Sequence, residues 1–175
     1  MSKTIKRSLY LAEINNILAW YNEFKDTKQD DLPIRIQWNL LSAIKEIQPA
    51  AARFEEFRNQ LVNKLQEEFF DEEHSEETTI PKTDANGNQM LGEDGEVLTE
   101  NGRRVKSEYL EQYQDRVQEL NTELNNLLVE KTTYTFKGID LDEFIDTLDN
   151  ESKLGLTDLD MLSFIDIHSS DNGDE

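Results

Sequence analysis

The chain has no cysteine, three prolines, seven glycines and two histidines. Without thiols there is no disulfide framework and no thiolate metal site. No apolar run approaches the roughly 20 residues that a membrane helix needs. The N-terminus carries Lys3, Lys6 and Arg7 but lacks the continuous apolar stretch of a secretory signal. Hydrophobic residues make up 36% of 175, below the usual globular share. That length suits one domain better than two. Basic residues are scarce as well: 18 Lys and Arg stand against 38 Asp and Glu, a net charge of -20. Such a field disfavours direct binding to nucleic acid or to an anionic membrane. A basic partner is its natural complement, and electrostatic steering speeds that capture. The expectation is a soluble, cytosolic protein.

The charge is unevenly spread. Residues 1–70 balance at net zero, residues 71–105 carry -7, residues 106–131 carry -3 and residues 132–175 carry -10. Half of the imbalance therefore sits in the last quarter of the chain. Self-repulsion of this kind works against compaction, and solubility alone needs less of it.

Apolar spacing predicts mostly helix. Leu11, Ile14, Leu18 and Tyr21 recur three and four apart, which predicts a helix from Ser8, as N-cap, to Phe24. A second, long helix begins after Pro33, with Ile36, Leu40, Leu41, Ile44 and Ile47 on one face. Pro49 should kink or restart it, because proline removes a hydrogen bond and crowds the preceding turn. Phe54, Phe57, Leu61, Leu65 and Phe69 continue the stripe. A third helix spans about Ser107 to Lys131. Its Leu110, Tyr113, Val117, Leu120, Leu124 and Leu127 form an a/d heptad stripe. The second and third helices are expected to pair as an antiparallel hairpin, with a homo-oligomer through the heptad stripe as the alternative use.

Residues 74–105 read differently. Asn86-Gly87, Asp94-Gly95 and Asn101-Gly102 are three hairpin-turn dipeptides, favoured where both central residues take φ > 0. With Gln89-Met90-Leu91 and Val97-Leu98 between them, this insert is a small β-meander or a flexible loop. Tyr134-Thr135-Phe136 alternates like a strand until Gly138. Two short amphipathic helices follow, Leu141–Leu148 and Leu159–Ile165, with Thr157 and Asp160 as N-cap and N3 partner of the latter. Residues 169–175 should be a disordered acidic tail. The fold class expected is mainly α: a long antiparallel helical hairpin, a shorter N-terminal helix, a β insert and short acidic C-terminal helices. One domain covers residues 1–168.

Motifs of chemistry are missing. There is no P-loop, no dinucleotide fingerprint and no nucleophile elbow. His74 and His168 are far apart, and Glu72, Glu73, His74 and Glu77 resemble a solvated helix end more than a zinc site. The Asp84–Asn88 stretch starts like a calcium loop and then fails, with Gln89 where glycine belongs and Gly95 where the bidentate glutamate belongs. No catalytic, cofactor-binding or metal-binding residue stands out, and a non-enzymatic protein is expected.

The acidic spacing near the C-terminus is the most suggestive feature. Asp140, Glu143, Asp146 and Asp149 recur every three residues, with Asp142 and Glu151 beside them and Asp158 and Asp160 beyond. On a helix, neighbours three or four apart lie about 5–6 Å from each other, near the phosphate spacing of a nucleic-acid strand. These eight carboxylates are the candidate partner-binding residues, a surface that mimics nucleic acid. The simpler reading makes them the wet face of helices that bury Leu141, Phe144, Ile145 and Leu148.

The order of features, Leu11 to Leu18, Leu32 to Ile47, the acidic hairpin Phe54 to Leu128 and the closing segment Gly138 to Leu162, resembles an uncharacterised family encoded by tailed phages and prophages. The resemblance implies a phage origin and expression in the cytoplasm of a bacterial host. It carries over no activity and no cofactor. Together with the charge it suggests an inhibitor of a basic, nucleic-acid-binding host or defence protein. A virion or assembly component is the alternative.

Overall fold

The structure, a computed structural model, describes residues 3–148 and 152–169. In chain order the elements are β1 (Thr4–Tyr10), α1 (Leu11–Thr27), α2 (Ile34–Phe69), β2 (Ser75–Pro81), β3 (Thr99–Val105), α3 (Leu110–Leu128), β4 (Lys131–Lys137), α4 (Leu141–Ile145) and α5 (Leu156–Leu162). They form two compact units. The first takes the described residues up to Glu56 and from Asn125 onward; the second is Phe57–Leu124.

The expectation of a mainly helical fold is corrected here. Among the described residues 57% are helical and 21% are in strands or bridges, and two antiparallel two-stranded sheets, β1–β4 and β2–β3, each anchor one unit. The residues that were to begin the first helix belong instead to β1, which pairs along its whole length with β4, Thr4 opposite Lys137 and Tyr10 opposite Lys131. Ile5, Arg7 and Leu9 alternate onto one face, opposite Phe136, Tyr134 and Thr132. Ser8 and Thr133 share a hydroxyl–hydroxyl bond of 2.9 Å, so Ser8 is a strand residue and not a helix cap. The α1 helix starts after Tyr10, whose N–H donates to Glu13 Oε2 at 2.7 Å.

The core of the first unit is continuous. Ile14, Ile17, Tyr21 and Phe24 form the inner face of α1. They join Leu40, Ala43, Ile44 and Ile47 of α2, Phe136 of β4, and Leu141, Phe144, Leu162, Phe164 and Ile165 near the C-terminus. Each of the buried Leu, Ile and Phe side chains stabilises the fold by about 1.5–3 kcal/mol relative to exposure. The chain closes on itself where Ile139 N–H donates to Ile165 O and Ile167 N–H to Ile139 O, both at 2.8 Å. Buried Arg7 ties β1 to the same place, its Nη2 donating to Asp166 O at 2.8 Å. Gly138 permits this approach: a Cβ there would stand 2.5 Å from the Ile167 side chain.

α2 does not restart at Pro49, which lies inside a single helix of 36 residues. Burial of Leu40, Ala43, Ile44 and Ile47 before it and Phe54 after it outweighs the one missing hydrogen bond.

The second unit holds the end of α2, the β2–β3 hairpin and most of α3. Phe69 is its one buried apolar side chain among the described residues. The Tyr113 ring meets Phe69 at 5.4 Å and Phe70 at 5.8 Å, both edge-on. Arg116 Nε lies 3.6 Å from Glu68. The heptad stripe is half-buried at Tyr113, Val117, Leu120, Leu124 and Leu127 and exposed at Leu110. Residues 74–105 form one extended β arm. Asn86-Gly87 and Asp94-Gly95 turn it, with Gly87 at φ +83 and Gly95 at φ +81. Asn101-Gly102, expected as a third turn, lies within β3 opposite Thr79 and Thr78. Single bridges join Thr83 to Gln89 and Leu91 to Val97.

Candidate functional site

The carboxylates proposed from spacing sit on short elements, not on one long helix. α4 has five residues, shorter than the Leu141–Leu148 helix expected, and α5 starts at Leu156, three residues before the expected Leu159. The three-residue repeat therefore has only one helical turn beneath it. Asp149 and Glu151 lie outside the described residues.

Asp140 caps α4. Its Oδ1 accepts from the Glu143 N–H at 3.0 Å, and its Oδ2 lies 3.2 Å from His168 Nε2. The Glu143 N–H, then His168, hold its carboxyl below the usual range. Asp142, Glu143 and Asp146 are exposed while Leu141 and Phe144 turn inward. Ile145, assigned to the buried face, is 40% exposed, because a single helical turn cannot present four inward positions.

Asp158 departs most from expectation. It is 5% exposed and spends its carboxylate inside the first unit. Oδ2 accepts from Lys28 Nζ at 2.7 Å and from the Gly155 N–H at 2.9 Å; Oδ1 accepts from Trp20 Nε1 at 3.0 Å. Burial raises its pKa, but the bonds from Lys28, Gly155 and Trp20 outweigh that and leave it lowered. The N-cap of α5 is thus Gly155 with Asp158 at N3, in place of Thr157 with Asp160. Asp160 is exposed. The exposed carboxylates are therefore Asp142, Glu143, Asp146 and Asp160, with Asp140 half-buried, and Asp158 is not among them.

The histidines are each used locally. His74 Nδ1 lies 2.8 Å from Asp71 Oδ1, and its ring is 4.6 Å from Tyr109. Asp84 accepts the N–H groups of Asn86 at 2.8 Å and Asn88 at 2.9 Å, so its carboxylate serves the turn. Among the described residues no group of three or more His, Asp or Glu is placed to hold a metal ion.

Spacing missed a cavity of about 330 Å³ in the first unit, lined by Lys3, by Arg35 and Asn39 of α2, and by Asp140 and Glu143, over Ile36, Ile139 and Ile167. No local pattern signals it, because its walls come from four separate parts of the chain: Lys3, the start of α2, residues 138–143 and Ile167. No helix among the described residues is long and apolar enough to cross a membrane. In comparisons with known proteins, no family model, no curated protein and no solved structure matches the chain.

Proposed function

We propose that this is a non-enzymatic, phage-encoded interaction protein that captures a basic host protein, of the kind that binds nucleic acid, through its exposed carboxylates. The observation that carries the reading is the outward set Asp142, Glu143, Asp146 and Asp160 on a chain of net charge -20. Asp158, withdrawn into the fold, is not part of that surface. A host partner places the protein in the bacterial cytoplasm. The test is capture from bacterial lysate by the tagged chain, washed across a salt series and read by mass spectrometry. A DNA- or RNA-binding protein should be held at low salt and released as salt rises, since screening weakens exposed charge pairs. Asp142→Lys, Asp146→Lys and Asp160→Lys together should abolish capture while helical circular dichroism persists. Capture unchanged by the triple reversal overturns the reading.

One observation favours a second reading, a virion or assembly component. The β arm exposes Met90, Leu91, Val97 and Leu98, and the α3 stripe is only half-buried. That reading expects copies in purified particles, or stable homo-oligomers in light scattering.

A further inference from the structure

The cavity beside the start of α2 holds charged groups of both signs; the Lys3 charge acts on Asp140, but no ion pair closes between them. Arg35 makes no ion pair and no side-chain hydrogen bond among the described residues, and neither does the Lys3 ammonium. Asp140 is already engaged by the Glu143 N–H and His168. The Glu143 carboxylate has no partner among the described residues. Asn39, 5% exposed, lines the same space. Its Nδ2 donates to Gly138 O at 3.3 Å, which leaves Oδ1 without a partner among the described residues. That oxygen is not closed off from water, since Arg7 Nε is the one fully buried side-chain polar atom without a partner among the described residues, so it stands at the cavity as an open acceptor.

The open groups therefore sort into two kinds. Arg35 and Lys3 are donors suited to a carboxylate, and the guanidinium offers a bidentate fork for it. Glu143 and the Asn39 oxygen are acceptors suited to an ammonium. Ile36, Ile139 and Ile167 line the same space and offer apolar contact. A volume of about 330 Å³ is at the small end of ligand sites, enough for a single small molecule. An inorganic anion would leave Glu143 and Asn39 unanswered, and a simple amine would leave Arg35 and Lys3 unanswered.

We propose that this cavity binds a free α-amino acid with an aliphatic side chain, its carboxylate on Arg35 and Lys3, its ammonium on Glu143 and Asn39 Oδ1, and its side chain on the three isoleucines. The site goes beyond the acidic-surface reading and does not depend on it. Asp142, Asp146 and Asp160, whose reversal tests that reading, do not line the cavity.

The test is calorimetric titration of the full chain with three probes that share a carbon skeleton: L-leucine, isoamylamine and 4-methylpentanoate. L-Leucine should bind saturably, and each probe that lacks one charged group should bind at least about tenfold more weakly, the scale of one lost charge-assisted hydrogen bond. Arg35→Gln should weaken L-leucine by a similar factor and leave isoamylamine unchanged. Glu143→Gln should weaken L-leucine and leave 4-methylpentanoate unchanged. Arg35 and Glu143 are both exposed, so both variants should keep the native circular dichroism, and Lys3→Gln is a second carboxylate-side variant. No saturable binding of L-leucine overturns the proposal. So does either single-charge probe binding as tightly as L-leucine, or L-leucine affinity unchanged in both Arg35→Gln and Lys3→Gln.

Discussion

The two units of this protein are stabilised by different means. Every buried apolar side chain among the described residues except Phe69 belongs to the first unit. There, side chains from β1, α1, α2, β4, α4 and α5 share one core, and even the ionic contact of Asp158 is drawn inside. The second unit has one buried aromatic ring, a half-buried helix stripe and a long β arm held by backbone bonds and turns. Its polar ties join β2 to β3 and to the turn after α2. The Ser75 hydroxyl donates to Asp71 O and accepts from Arg103 Nε at 2.7 Å, and Arg104 pairs with exposed Glu76 at 2.6 Å. The lesson is that the hydrophobic effect governs the first unit, while turn chemistry and a small aromatic cluster govern the second.

The largest effect expected follows from that contrast. Leu40, at 0% exposure, should cost about 2–5 kcal/mol as Leu40→Ala. Leu120→Ala, on the half-buried stripe, should cost about 1 kcal/mol because less of its surface leaves water. Chemical denaturation of the two variants checks this, and equal losses would break the comparison.

Asp158→Asn is next. It weakens the bonds to Lys28 and Gly155 in a nearly buried place and should cost about 1–3 kcal/mol. The folded pKa of Asp158 lies below its unfolded value. Its contribution is therefore complete above the unfolded carboxylate value of about 3.9, and is lost as pH falls through that value toward the folded pKa. Thermal denaturation against pH should show an acid decline that is flatter in Asp158→Asn than in the native chain.

Gly87→Val, at φ +83, should cost about 1–2 kcal/mol for a side chain forced into left-handed backbone. Hydrogen exchange should locate the loss in residues 82–98 and leave α1 as protected as before. Loss of protection throughout α1 would show that the two units unfold together. The smallest effect is a double-mutant cycle on Phe69 and Tyr113, expected to give about 0.5–1.5 kcal/mol of coupling for one edge-on pair.

Legibility from sequence followed the range of the interaction. The inner faces of α1 and α2, the strand trace at Tyr134–Phe136 and the turns at Gly87 and Gly95 were all readable, since a helical or alternating period or a turn dipeptide is a local signal. Asn101-Gly102 misled because the same dipeptide is tolerated inside a paired strand. β1 was not readable. Its inward position at Arg7 is charged, which hides the alternation, and its partner β4 lies at the other end of the chain. Among the candidate carboxylates, spacing did not separate the exposed Asp142, Glu143, Asp146 and Asp160 from the buried Asp158. It had no means to show that Asp158 would be drawn onto Lys28 and Trp20.

What this sequence determined by itself is its charge, its amphipathic stripes and its arm turns, because each depends on neighbours a few residues apart. The tertiary structure alone decided the mixed α and β character and the burial of Asp158. It also decided the meeting of Lys3, Arg35, Asn39 and Glu143 around one cavity. These depend on groups separated by up to 140 positions, brought together only when the shared core forms and offsets the entropy of closing those loops.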